Sequence, residues 1–210
     1  MDTAILFDYK EIFIDFINYM KCMKKDFCEN NACDTEKTTD AIETFFYERY
    51  SKKFEVFSSK SKGEFLYDIS VMNCKPKEIL KKNLDEENEK LNPKIILSIE
   101  SELGGSGANY KKGLLKNLSE DYFKILHSSS DYRIFIGIHE PNDEDINERA
   151  NLFYQAYKNS DQEKSILLIL IYGIRNKEIK SKQIQIDPNL KFEGYVLTED
   201  QMEKLDTKEF

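Results

Sequence analysis

Residues 94–102, KIILSIESE, leave few choices to a chain that contains them. Ile95, Leu97 and Ile99 alternate with Ile96 and Ser98, and both sets are mostly apolar. A stretch that is apolar on both sides is a central strand covered on two faces. The pattern breaks at Glu100 and Glu102. Side chains two apart on a strand share a face, so the two carboxylates emerge together, roughly 7 Å apart along the strand. Acids at the end of a buried strand repel each other and lose hydration. A hard divalent cation with oxygen ligands is the usual compensation. The Glu-Ser-Glu therefore reads as half of a metal site.

The rest of the chain supplies the layers around that strand. Helical spacing runs over 3–25, with Ile5, Tyr9, Ile12, Phe13, Phe16, Ile17 and Met20 on one face, and again over 40–57. The polar stretch 26–38 reads as a loop between them. Strands are expected over 64–73, 132–139, 165–174 and 192–197, and helices over 110–127 and 144–159. Residues 75–92, strongly charged, read as a solvated excursion, and the acidic end after 197 as a helical turn or tail. From residue 64 on, strands alternate with helices. The fold class expected is therefore α/β, a central mixed β-sheet flanked by helices on both faces. Residues 1–38 read as an N-terminal helical segment and 39–210 as the core.

Composition narrows the function classes. With 210 residues, 40% of them hydrophobic, the chain can bury a real core. A formal net charge of −8 excludes a simple basic nucleic-acid coat protein, although local lysines still permit contact with DNA. The longest apolar run, 166–171, is too short to span a bilayer, and no secretory signal is visible, so a cytoplasmic protein with no membrane partner is expected. Cys22, Cys28, Cys33 and Cys74 lack the paired spacing of zinc ligands, and reduced thiols are expected for all four.

Further acids and lysines join the two glutamates. Asp68 lies inside the apolar stretch EFLYDISVMN, where its propensity is out of place, and such local conflicts concentrate at functional sites. Glu43 reads either as a helix-capping acid behind Asp40 or as one more metal carboxylate. The loop GGSG at 104–107 lacks the phosphate-loop pattern, but it precedes a helix N-terminus, and Lys111, Lys112 and Lys116 follow it. These lysines are the candidates for phosphate contacts that position DNA without reading its sequence. Asp68, Glu100 and Glu102 form the candidate set for Mg (or Mn), with Glu102 a candidate general base.

An Asp in one strand, Glu-x-Glu at the end of the next and a following helix resemble the PD-(D/E)xK nuclease superfamily, in the Glu-x-Glu variant where Glu replaces the usual Lys. The run ESELG, then EDYFKIL, then YRIFIGI is also similar to an uncharacterised bacterial restriction-endonuclease-like family. The resemblance covers roughly residues 40–175. It implies a restriction endonuclease-like core with Asp68, Glu100 and Glu102 as catalytic acids and Lys124 as the family's helical lysine. Two departures stand out: Asp68 is not preceded by Pro, and 75–92 has to be an insertion. Lys124 also has the plainer reading of a surface lysine paired with Glu120 or Asp121. The function expected is a Mg-dependent endonuclease acting on double-stranded DNA, of restriction or defence type, with a homodimer as the arrangement that suits cutting both strands. The alternative is a non-catalytic protein of the same fold, acting as a regulatory or interaction module.

Overall fold

Main-chain pairing along the 94–102 stretch sets the architecture. The structure is a computed structural model. It describes residues 7–29, 32–59, 61, 63, 66–76, 93–104, 111–140, 145–160, 162–175 and 184–206, apart from the side chains of Ala32, Lys111, Lys112 and Arg175. In chain order the elements are α1 (Tyr9–Phe27), β1 (Cys28–Glu29), β2 (Ala32–Cys33), α2 (Thr35–Tyr50), β3 (Glu55–Phe57), β4 (Ile69–Met72), β5 (Ile95–Glu102) and α3 (Lys111–Leu126). They continue as β6 (Tyr132–His139), α4 (Ile146–Lys158), β7 (Ile166–Arg175), β8 (Ile184–Ile186), β9 (Phe192–Leu197) and β10 (Met202–Leu205).

The fold is α/β with a mixed sheet. Its strands run β1-β2-β8-β7-β6-β5-β4-β3, with β9 and β10 attached at β7. The centre, β5-β6-β7, is parallel, and β4 joins β5 antiparallel. β7 is long enough to take two neighbours along one edge: 166–171 pair with β9 and 173–175 with β8. Parallel strands need crossovers, and α3 and α4 supply them.

Alternation along the strands sorts the two helical layers. Phe135 points to one face, where it meets Tyr122 of α3 and Phe153 of α4. The opposite face carries Gly194 against Phe13, and Phe192 against Phe16, both partners on α1. Phe16 in turn packs on Phe45 and Phe46, so α2 belongs to the same layer. The glycine is required there, because a Cβ at Gly194 would lie 2.6 Å from the Phe13 ring. Gly194→Ala is therefore expected to cost about 1–3 kcal/mol by overpacking, a fall of roughly 2–12 °C in Tm. An unchanged melt would mean that α1 does not seat there.

Several expectations need correction. The stretch 26–38 is not a plain loop: β1 and β2 pair as a small hairpin, which sets Cys28 opposite Cys33, and the two form a disulfide. Only Cys22 and Cys74 remain free thiols. The second helix begins at Thr35, capped by Asp34, whose side chain accepts from the Lys37 N–H, and it ends before β3. Glu43 is consequently mid-helix. Among the described residues of 64–73, the expected strand is Ile69–Met72, because Leu66 adopts φ 69° and breaks the extended run. The described part of the acidic end is not helical: β10 pairs with β9 and buries Leu205. The short strand β8 was not anticipated. The excursion 75–92 lies largely outside the described residues, but its two ends meet: Lys94 N–H donates to Asn73 Oδ1 at 2.9 Å, and Asn73 N–H to Lys94 O at 3.3 Å. Among the described residues no helix is long and apolar enough to cross a membrane.

Candidate functional site

Glu100 and Glu102 stand on the face of β5 that α3 covers, as the period-two reading requires. The register brings in Asp68. Ile69 lies opposite Ile99, so the preceding residue falls beside Glu100. The Ser101 N–H and hydroxyl both donate to Asp68 Oδ2, at 2.8 and 3.1 Å, and hold the carboxylate there. Asp68 sits just before β4, not inside it. The left-handed turn at Leu66 is what re-aims the chain, and such conformations in a non-glycine residue are uncommon and cluster at functional sites.

Glu100 is the most constrained member. It is 1% exposed. Its Oε2 faces Lys124 Nζ at 3.2 Å, while its Oε1 is buried with no hydrogen-bond partner. Burial and the neighbouring Asp68 charge push its carboxyl up to about 8, although Lys124 pulls the other way. Burial also raises Asp68, against the Ser101 bonds that lower it. Glu102 is raised by burial too, partly offset by the Gly104 N–H that donates to its Oε1 at 2.6 Å. Gly104 takes φ 75°, a conformation suited to glycine, to present that N–H.

α3 closes the site. Lys124 reaches Glu100 and also pairs with Asp121 Oδ1 at 2.7 Å. Burial lowers its proton affinity, but Asp121 and Glu100 outweigh that and leave the ammonium above its ordinary value. Asp121 acts on the whole group, since its charge raises Asp68, Glu100 and Glu102 alike. Asn117 acts on Glu102 from the same helix and lowers its carboxyl. Neither Asn117 nor Asp121 was singled out from sequence as a site residue. Their positions relative to Lys124 (i, i+4, i+7) place all three on one side of a helix, and that spacing was the available signal.

The remaining candidates fare differently. Lys116 is exposed and pairs with Glu120 one turn along at 3.5 Å, an interaction worth little at a surface. The side chains of Lys111 and Lys112 and residues 105–110 lie outside the described residues. Glu43 belongs to the helical layer on the opposite face of the sheet. Its carboxylate accepts from Ser59 Oγ at 2.8 Å, so it neither caps a helix nor joins the acids.

Among the described residues, no three of His, Cys, Asp and Glu are arranged to hold a metal ion together. Asp68 and Glu100 adjoin, while Glu102 is turned toward the Gly104 N–H. A pair is still compatible with Mg²⁺, which keeps several waters and binds through one or two carboxylates plus substrate phosphate. The unpartnered Glu100 Oε1 is the kind of buried atom that calls for a ligand. Comparison of the chain with known protein families, with curated proteins and with solved structures finds no match in any of the three.

Proposed function

We propose that the chain is a divalent-metal-dependent phosphodiesterase acting on DNA, with a restriction endonuclease-like arrangement of its acids. The observation that carries this reading is the buried, unpartnered Oε1 of Glu100 beside the Asp68 carboxylate. Asp68 and Glu100 would hold Mg²⁺ or Mn²⁺. When bound, the cation supplies a nucleophilic water near neutral pH and stabilises charge on the phosphoryl group. The chain's own residues do the rest. Asp121 keeps Lys124 protonated and directed at Glu100, so an N–H is on hand for a phosphate oxygen. Glu102, its proton affinity raised by burial, is the group suited to take a proton from the attacking water. The first turn of α3, with Lys111 and Lys112, begins just after the loop that follows Glu102 and is where the DNA backbone would run.

The test is incubation of the purified chain with supercoiled plasmid in Mg²⁺, Mn²⁺, Ca²⁺ or EDTA. Nicked or linear product in Mg²⁺ or Mn²⁺, and none in EDTA, is expected. No product from supercoiled, linear or single-stranded DNA in either metal would overturn the catalytic reading.

One observation favours the alternative, a non-catalytic interaction module of this fold. The Lys124 ammonium already neutralises Glu100 Oε2, so half of that carboxylate is satisfied without a cation. In this reading Mg²⁺ leaves the melting temperature unchanged, whereas a cation site raises it.

A further inference from the structure

Two residues along the sheet from Glu100 lies a second group that the proposed chemistry does not use. Arg133, in β6, is 0% exposed and sits opposite Ser98 of β5. Its Nη1 donates to Leu126 O at 3.0 Å and to Gln162 Oε1 at 3.3 Å. Its Nε and Nη2 are buried and have no hydrogen-bond partner. These two atoms form one edge of the guanidinium, the edge that offers parallel N–H bonds to a single carboxylate or phosphate. The bonds at Nη1 fix the plane, so the open edge is already oriented. Tyr157 Oη is likewise buried without a partner, and its charge state and that of Arg133 influence each other.

Among the described residues, the surroundings of Arg133 carry no compensating charge. Arg133 makes no ion pair with a described residue, and the groups that act on it electrostatically are Tyr9, Tyr157, Tyr122 and Tyr67. A guanidinium does not shed its proton inside a protein. A buried cation without a counter-charge is among the costliest arrangements in a fold, and three orphaned polar atoms in one neighbourhood call for an occupant.

We propose that the open edge of Arg133, together with Tyr157 Oη, binds a small oxyanion at the base of α3 and α4, in a site separate from the acid cluster. Two parallel N–H donors and one hydroxyl match a phosphate, sulfate or carboxylate group. A monatomic anion cannot take both parallel bonds on separate atoms. This site does not rest on the phosphodiesterase reading, because Arg133 is closed off from any DNA surface.

The experiment is thermal melting of the full chain, dialysed into chloride buffer and then titrated with inorganic phosphate, sulfate or acetate at constant ionic strength. At least one of the three is expected to raise Tm saturably, by about 5–10 °C at a hundredfold excess over its Kd. Arg133→Gln should abolish the saturable rise. Tyr157→Phe removes only a hydroxyl that has no partner, so it should fold even where Arg133→Gln does not, and its half-saturation should move to about tenfold higher anion. Asp161, next to Gln162 and outside the described residues, offers the same carboxylate chemistry from within the chain. Asp161→Asn should leave the titration unchanged. A rise that is linear in salt and equal in wild type and Tyr157→Phe is the general effect of excluded salts and would overturn the site. So would no rise with any of the three anions, or a saturable response that appears only in Asp161→Asn.

Discussion

Glu100→Gln is expected to lose metal-dependent DNA cleavage by on the order of 10³-fold, because a metal-bound transition state draws several kcal/mol from the cation. The same variant is expected to be more stable than the wild type in EDTA at pH 8. An ordinary glutamate titrates at 4.5, whereas folded Glu100 titrates at about 8. Between those values the folded chain holds a proton that the unfolded chain has released, so stability falls as pH rises. The contribution is fully present below about pH 4.5 and is lost as pH climbs through about 8, a loss on the order of a few kcal/mol. Glutamine stays neutral and does not incur that loss. Asp68 and Glu102 are raised as well, so both proteins retain some slope, and the difference between their pH–stability curves isolates Glu100. Parallel curves would show that Glu100 is not the strained carboxyl. Equal Mg²⁺ stabilisation of the two proteins would remove Glu100 from any cation site.

The second large effect falls on the opposite face of the sheet. Phe16→Ala is expected to cost about 3–5 kcal/mol, a drop of roughly 6–20 °C in Tm. Phe16 is fully buried. Its ring lies 5.4 Å from Phe45, 6.1 Å from Phe46 and 5.9 Å from Phe192. One side chain thus ties α1 to α2 and to β9, and its removal leaves a void that three rings on two elements cannot close together. The acid cluster lies under α3 on the other face, so cleavage per folded molecule, measured well below Tm, should be unchanged. A Tm within 2 °C of wild type, roughly the effect of less than 1 kcal/mol in a chain this long, would mean that this layer rearranges to fill the space.

These two sites divide along the line between local and non-local information. Glu100 and Glu102 share a face because the side-chain period of a strand is two, and that is legible in IESE without any neighbour. The same holds for the apolar face of α1 and for the alternation of strands and helices after residue 64, which made the α/β sheet readable in outline. Periodicity cannot say which strand lies beside which. Asp68 enters the site only because β4 pairs with β5 in a register that places Ile69 opposite Ile99, and because Leu66 turns the chain ahead of it. The strand character of β10 was masked by Glu199, Asp200 and Glu203, since an edge strand is stabilised by main-chain bonds to its neighbour that its own side chains do not announce.

The sequence by itself determined the four long helices in outline, the central strands, their faces and the two glutamates, because each depends on residues within a few positions of one another. Only the tertiary structure decided which carboxylate bears the strain. Glu100 is buried under Lys124 and Asp121 of α3 and set against Asp68, while Glu102, two residues on, is relieved by the Gly104 N–H. The cysteine bridge and the open edge of Arg133 were decided in the same way. The physical reason is common to all three. Desolvation and charge pairing depend on what packs across a gap of a few ångströms, and the chain brings those partners together from positions far apart or through a turn that its composition does not specify.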